Sequence, residues 1–352
     1  MDIVIFGISG HLAETKLIPA LRNLYQEKKI PDDVRLIGFS RSPKQHEVPF
    51  SYEHIVGSYS EHEDFLKLKK ILRPEAKQLF YLALPPEASR HTLVSIALSG
   101  LVTKEDVIGS RLILAEKPFG TSFADASSLM EVVNESFRAD QCLKVDHYAG
   151  KKELRELSVE SDIRKVIFEI LETATVESRG GFYDSVGALR DIGQNHLLFM
   201  LATFFKGEGK REEVLHRLSL DPDTSKYVFG HYEGYDKIET FFSIPAILSD
   251  LDGDDQTPEI VLRSGKGLSQ NLARIWIGFK EGSEKPEKEI RLSGGPVAYE
   301  TVLLDAFNGR IENFLSDEEV LLSWKFIEEI EKVKETKTFF TYPVGSDEAY
   351  FL

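Results

Sequence analysis

The chain has 352 residues, of which 42% are hydrophobic and 29% charged, so it is long enough for two domains of ~150 residues with packed cores. Its net charge of −15 argues against nucleic acid or an anionic membrane surface as partner, so an anionic ligand must be held by individual Lys and Arg residues. One cysteine, Cys142, excludes an intrachain disulfide and a cysteine-built zinc cage, and suits a reducing cytoplasmic compartment.

The chain opens on a strand-like "DIVIFG", without the basic and apolar regions of a signal peptide, and no apolar run approaches the ~20 residues that span a bilayer. A helical pattern through Leu17, Leu21 and Leu24 follows. Then come "VRLIGFS" (34–40), "EDFLKLKKIL" (63–72), "QLFYLALP" (78–85), "ASRHTLVSIAL" (88–98), "RLILAEKP" (111–118), "SLMEVVNESF" (128–137) and "CLKVD" (142–146). Continuous apolar strands alternating with amphipathic helices predict a parallel, doubly wound α/β sheet. The connection 41–60 reads as irregular.

Beyond residue ~150 the β-prone segments are long: 163–173, 227–246, 259–268 and 271–279, with helices at 185–206 and 299–335. That grouping predicts an α+β domain, a mostly antiparallel sheet covered by helices. The expected division is 1–148 and 149–352.

Three constellations carry chemistry. "FGISGHLA" (6–13) follows the first strand and opens the first helix. Gly7 allows a tight turn and Gly10 lets backbone approach a phosphate at the helix N-terminus; a bare βα turn is the alternative. The second strand ends in "GFSRS" (38–42), with Arg41 and no carboxylate. An arginine there suits the 2′-phosphate of NADP, unless it is simply a solvated loop residue.

"AEKPFG" (115–120) puts Lys117 just past a parallel strand, where such sheets bind ligands, and Pro118 is a candidate cis proline. "KVDHYAGK" (144–151) sets Asp146, His147, Tyr148 and Lys151 at the last strand end. The last three could hold a phosphate monoester; a polar seam between domains is the alternative. Finally, "DIGQNHLLFM" (191–200) brings Asp191, Asn195 and His196 onto one helix. At 100° per residue Asp191 and Asn195 share a face and His196 stands ~140° away. His196 could be a general base, though alone a core histidine bonded to a carbonyl is the commoner case.

Assembled in order, these stretches resemble the glucose-6-phosphate dehydrogenase family. The likeness continues through "FYLALPP" (80–86), 172–198, "YEGYDKIETF" (232–241), "LRSGK" (262–266), "PVAYETVLLDAFNG" (296–309) and "TYPVGS" (341–346). The resemblance implies a Rossmann domain followed by a substrate and dimerisation domain. It implies hydride transfer from C1 of glucose 6-phosphate to NADP, in a cytoplasmic homodimer, with no metal, nucleic-acid or membrane partner.

By that likeness His196 is the base and Asp146 its partner. Lys117, His147, Tyr148, Lys151, Glu172, Asp191 and Lys266 hold the sugar phosphate. Gly7, Ile8, Ser9, Gly10, His11, Leu12, Arg41, Tyr81 and Lys117 contact the cofactor. The chain departs from the family pattern in being short, in carrying His11 where an Asp is usual, and in having Asn271 five positions after Lys266 in place of a basic residue. An imidazolium at His11 would attract pyrophosphate while opposing the helix dipole. Two rival readings are an oxidoreductase acting on another sugar, and a non-catalytic paralogue that senses sugar phosphate or cofactor.

Overall fold

The computed structural model describes residues 1–158, 160–176, 183–249 and 258–347. Residues 177–182, part of the stretch 172–198, lie outside them. The chain divides into two compact units, Met1–Lys151 with Gly294–Asp317, and Lys152–Ser293 with Glu318–Leu352.

In the first unit β1 (Asp2–Phe6), β2 (Arg35–Ser40), β3 (Ser51–Val56), β4 (Gln78–Leu82), β5 (Arg111–Glu116) and β6 (Cys142–Val145) form one sheet in the order β3-β2-β1-β4-β5-β6. Every pairing is parallel. β1 and β4 are buried along their whole length, which is why they read as unbroken apolar runs. The order reverses between β1 and β4, and this switch point fixes where a ligand can enter.

The connection expected to be irregular contains β3. This edge strand, "SYEHIV", is half exposed, so it lacks the apolar run that marks its neighbours. Helices Ile18–Gln26, His62–Ile71, Pro86–Ser99 and Phe123–Ser136 make the crossovers.

The sequence suggests one cut at 148/149, whereas the units divide after Lys151 and Gly294–Asp317 packs with the first. The physical reason lies in the helix Val297–Asn308. Its Tyr299, Val302, Leu303 and Ala306 join the same buried cluster as Leu17, Leu21 and Leu24. Asn23 donates to Glu300 Oε1 at 2.7 Å. At Gly150 a Cβ would come 1.9 Å from the Ala298 carbonyl oxygen, so only glycine permits this approach.

The second unit holds a mixed sheet in the order β13-β12-β7-β11-β10-β9-β14, with β8 on β10. Its strands are β7 (Ile163–Leu171), β8 (Leu218–Leu220), β9 (Val228–Tyr232), β10 (Phe241–Leu248), β11 (Glu259–Gly265), β12 (Leu272–Phe279), β13 (Lys288–Arg291) and β14 (Phe340–Tyr342). Pairing is antiparallel except at β7–β11 and β9–β14. Helix Leu198–Phe205 covers β7, where Phe204 and Phe205 meet Phe168 at ring-centroid distances of 5.7 and 6.1 Å. Among the described residues no helix is long and apolar enough to cross a membrane.

Candidate active site

The first unit gathers its chemistry at the carboxyl ends of its strands. After β1 the chain turns at Gly7, with φ +83° and a virtual Cβ 2.3 Å from the Ala83 carbonyl oxygen. The Gly7 N–H donates to the Phe39 carbonyl at 2.9 Å, and the Gly10 N–H donates to the Gly7 carbonyl at 2.9 Å. Ile8 is buried under this turn, while Ser9 and His11 are exposed on it and Gly10 and Leu12 are half-buried. The first helix then passes through a π-helical turn, Ala13–Leu17. A glycine turn feeding a helix N-terminus beside the switch point suits a pyrophosphate.

At the end of β2 the exposed Arg41 lies 6.0 Å from the centre of the Tyr59 ring. Ser40 Oγ donates to the Ser42 carbonyl at 2.7 Å. No side chain of Ser40-Arg41-Ser42 is a carboxylate, so this strand end lacks the acid that reads a ribose 2′-hydroxyl.

Tyr81 is buried in β4, and its hydroxyl donates to Glu116 Oε1 at 2.5 Å. Burial raises the Glu116 carboxyl to about 7, helped by nearby Asp146 and opposed by the Tyr81 hydrogen bond and Lys117. Lys117 follows, half-buried, and the Lys117–Pro118 peptide is cis.

At the end of β6, buried Asp146 caps a 3-10 turn, His147–Gly150, through Oδ1 and the Tyr148 N–H at 2.9 Å. The His147 ring stacks on Tyr299 with centroids 5.2 Å apart and planes 10° from parallel, and meets Tyr148 edge-on at 5.1 Å. Lys151 Nζ sits 4.6 Å from the Tyr148 ring centre. An imidazole and an ammonium are thus seated on aromatic rings within one turn.

In the second unit, Leu189–Leu197 is a nine-residue π-helix. This corrects the helical-wheel expectation. The wider winding bonds i to i+5 and carries His196 round toward the Asp191 face, where an α-helix would turn it away. The side chain of Asn195 serves the opened backbone. Its Nδ2 donates to the Arg190 carbonyl at 3.2 Å and its Oδ1 accepts from the His196 N–H at 2.8 Å. Gln194, Asn195 and His196 are all buried.

The start of this helix is clamped twice. Arg190 makes paired bonds to Glu331 at 2.7 and 2.9 Å, and the Leu189 N–H donates to buried Glu239 Oε1 at 3.1 Å. Lys266, just past β11, ion-pairs with Glu172 at the end of β7 and lies 3.4 Å from Asp191 Oδ2. Burial would lower the Lys266 ammonium, but Asp191 and Glu172 outweigh it and hold it raised, so it stays charged. Its Nζ lies 5.3 Å from the Tyr183 ring centre.

The expected residues therefore gather within each unit. His147, Tyr148 and Lys151 share one turn of the first, and Glu172, Asp191 and Lys266 form one ion-paired cluster of the second. Four participants escape a reading of the sequence. Tyr299 and Tyr183 are ring partners supplied from distant segments, and Glu116 and Glu239 are buried acids. All four lie inside stretches that carry the family likeness, which was their one visible signal.

A six-stranded sheet with its order reversing at a glycine turn, joined to a unit that presents a lysine, carboxylates and a histidine, defines a two-unit dinucleotide-dependent oxidoreductase. Sequence models of glucose-6-phosphate dehydrogenase match both units: the NAD binding domain at residues 4–51 and 48–155, and the C-terminal domain at 154–206 and 287–350. The chain belongs to the glucose-6-phosphate dehydrogenase family, and its first unit is a nicotinamide-cofactor domain.

Similar curated proteins include glucose-6-phosphate 1-dehydrogenase of Cyberlindnera jadinii, 28% identical over 98% of this chain and 92% of that protein. Another is glucose-6-phosphate 1-dehydrogenase 6, cytoplasmic, of Arabidopsis thaliana, 26% identical over 92% of this chain and 84% of that protein. A solved glucose-6-phosphate dehydrogenase in complex with its substrate superposes with a TM-score of 0.82 at 24% identity, covering 99% of this chain and 96% of that one. The fold likeness extends to a 3-ketoreductase from Actinomadura kijaniata, with a TM-score of 0.57 at 14% identity over 97% of this chain and 99% of that one.

Proposed function

We infer that this chain oxidises glucose 6-phosphate at C1 to 6-phosphoglucono-1,5-lactone, using NADP, and so opens an oxidative route for phosphorylated glucose. Membership of the family carries this reading. NADP as the partner is supported by Arg41 at the end of β2, with no carboxylate among its neighbours Ser40 and Ser42. When bound, the nicotinamide ring supplies the acceptor for the hydride.

The residues of the chain do the rest. We assign His196 as the base that takes the C1 hydroxyl proton, and Asp146 as the carboxylate that stabilises the resulting imidazolium. His147, Tyr148 and Lys151 offer donors to the phosphate, and their seating on aromatic rings restrains them before it arrives. Glu172 and Asp191 accept from sugar hydroxyls, and Lys266 holds both carboxylates in place. Lys117 stands between sugar and cofactor. The turn from Gly7 to Leu12, with Arg41 and Tyr81, takes the dinucleotide.

A cytoplasmic homodimer pairing through the mixed sheet completes the reading. The lone buried thiol of Cys142 suits a reducing compartment. Sedimentation at micromolar concentration reports the oligomeric state.

Initial rates of cofactor reduction decide the main assignment. Glucose 6-phosphate with NADP should turn over, glucose should be poor, and NAD should be the weaker cofactor. Binding of sugar phosphate without turnover would overturn it in favour of a sensor. Faster oxidation of a different sugar would overturn the substrate.

A further inference from the structure

The carboxyl ends of β2 and β3 hold two histidines that the reaction does not use. His54, on the edge strand β3, is bonded through Nε2 to Ser40 Oγ at 2.9 Å. Ser40 is fully buried and has a single proton to give. The Ser42 carbonyl, which can only accept, takes that proton at 2.7 Å. His54 must therefore donate from Nε2, which leaves Nδ1 as its basic nitrogen.

His46 lies in the loop between the strands. Its Nε2 is 3.1 Å from the Ile8 carbonyl, again an acceptor only, so His46 too carries its proton on Nε2. The His46 ring meets Tyr52 edge-on at 5.9 Å, and Tyr52 Oη donates to the Lys44 carbonyl at 2.6 Å. The loop that follows Arg41 is thus fastened to the glycine turn at one point and to β3 at another.

We propose that His54 and His46, with Arg41, form the seat of the cofactor's 2′-phosphate, and that binding of NADP but not NAD draws a proton onto His54. Two observations converge on this. Both imidazoles are partly buried at the strand ends where the adenosine ribose lies in such sheets. Each has its Nε2 committed to an acceptor, so protonation at Nδ1 adds charge without breaking a bond. The charged groups around them are of both signs: Lys44 in the loop pairs with Glu14 on the first helix at 3.3 Å and Glu53 pairs with Arg35 at 3.2 Å, so each pair is neutral, while the exposed Glu47 follows His46 and Arg41 adds a cation at the end of β2.

The sign follows. Burial, and then the neighbouring His46, hold the His54 imidazole below its ordinary value while the site is free. A phosphate dianion beside it reverses that shift. Between the two values the complex binds a proton that the free protein lacks, so NADP affinity rises as pH falls toward 6. NAD, without that phosphate, gains nothing from the same residues. The phosphate's own titration works the other way, because a phosphate set among cations releases its proton.

The inference rests on the NADP reading above, and calorimetry separates the two. Titrations of the whole protein with NADP and NAD at pH 8, 7 and 6, each in two buffers of different ionisation heat, give affinity and protons exchanged. We expect net proton uptake with NADP alone, and a ratio of NAD to NADP dissociation constants that grows about tenfold from pH 8 to 6. His54→Gln keeps a donor for Ser40, and should abolish the uptake and flatten the ratio. Equal affinity for NAD and NADP at every pH would sink the NADP reading itself. A preference for NADP that is independent of pH, or one unchanged in His54→Gln, would sink this inference and leave that reading standing. So would loss of the uptake in His11→Asp but not in His54→Gln, because the titrating group would then be the histidine of the glycine turn.

Discussion

Two lysines, one in each unit, sit close to rings and do opposite work. Lys151 stands over Tyr148 with His147 next to it, and His147 lies flat on Tyr299. Lys266 also approaches a ring, Tyr183, but two carboxylates hold it, Glu172 and Asp191. The first arrangement concentrates positive charge on aromatic faces and suits a dianion. The second sets two carboxylates against one ammonium, so it is net negative and offers acceptors to hydroxyls. Under the function proposed above, the first cluster would take the phosphate and the second the sugar hydroxyls.

The sharpest separation comes from a residue that should belong to neither kind of recognition. His196→Asn should lower kcat by ~10² or more with KM for glucose 6-phosphate nearly unchanged, as for a lost general base. Initial rates check it. A mutant with near-normal kcat and a raised KM would make His196 another binding residue and move the base elsewhere.

The lysines come next. Lys151→Met should raise KM for glucose 6-phosphate ~10- to 100-fold, the worth of one charge-assisted bond, and leave the poor reaction with glucose alone. Lys266→Met should harm both substrates, because it frees Glu172 and Asp191 to repel each other. The ratio of kcat/KM between glucose 6-phosphate and glucose reads the contrast directly. If Lys266→Met lowered that ratio as much as Lys151→Met, the division of labour would fail.

The two sites were not equally legible. The first unit was readable because buried parallel strands write themselves as apolar runs, and the glycine turn has fixed spacing. Its one missed strand, β3, is the half-exposed edge. His147, Tyr148 and Lys151 are neighbours in sequence, so their grouping was visible at once. The second site draws on residues 172 and 266, brought together by the pairing of β7 with β11, and on residue 191 from the π-helix, a meeting that periodicity does not reveal. The π-helix was hidden for a different reason. Asn195 supports the altered hydrogen bonding from its side chain, and an asparagine in a helical pattern gives no sign of doing so. The return of Val297–Asn308 to the first unit was equally opaque, because an apolar helix face does not state which core it joins.

Glu116 carries the contrast into stability, with the smallest effect. Glu172 ion-pairs with an ammonium, whereas Glu116 accepts a hydrogen bond from the Tyr81 phenol and is buried outright. Burial holds Glu116 at about 7, above the ordinary 4.5. The folded chain therefore keeps a proton that the unfolded chain has already lost between those values. This stabilisation is complete below the unfolded value and fades as pH rises through about 7. Glu116→Gln retains an acceptor for Tyr81 but has no charge to bury. Its melting temperature relative to wild type should climb by a few degrees, on the order of 2–4 °C, between pH 5 and 8. Scanning calorimetry of both proteins across that range measures the difference. A difference that stays constant with pH would mean that Glu116 is ionised in the fold, sharing its site with Lys117, and that the two units treat their buried carboxylates alike.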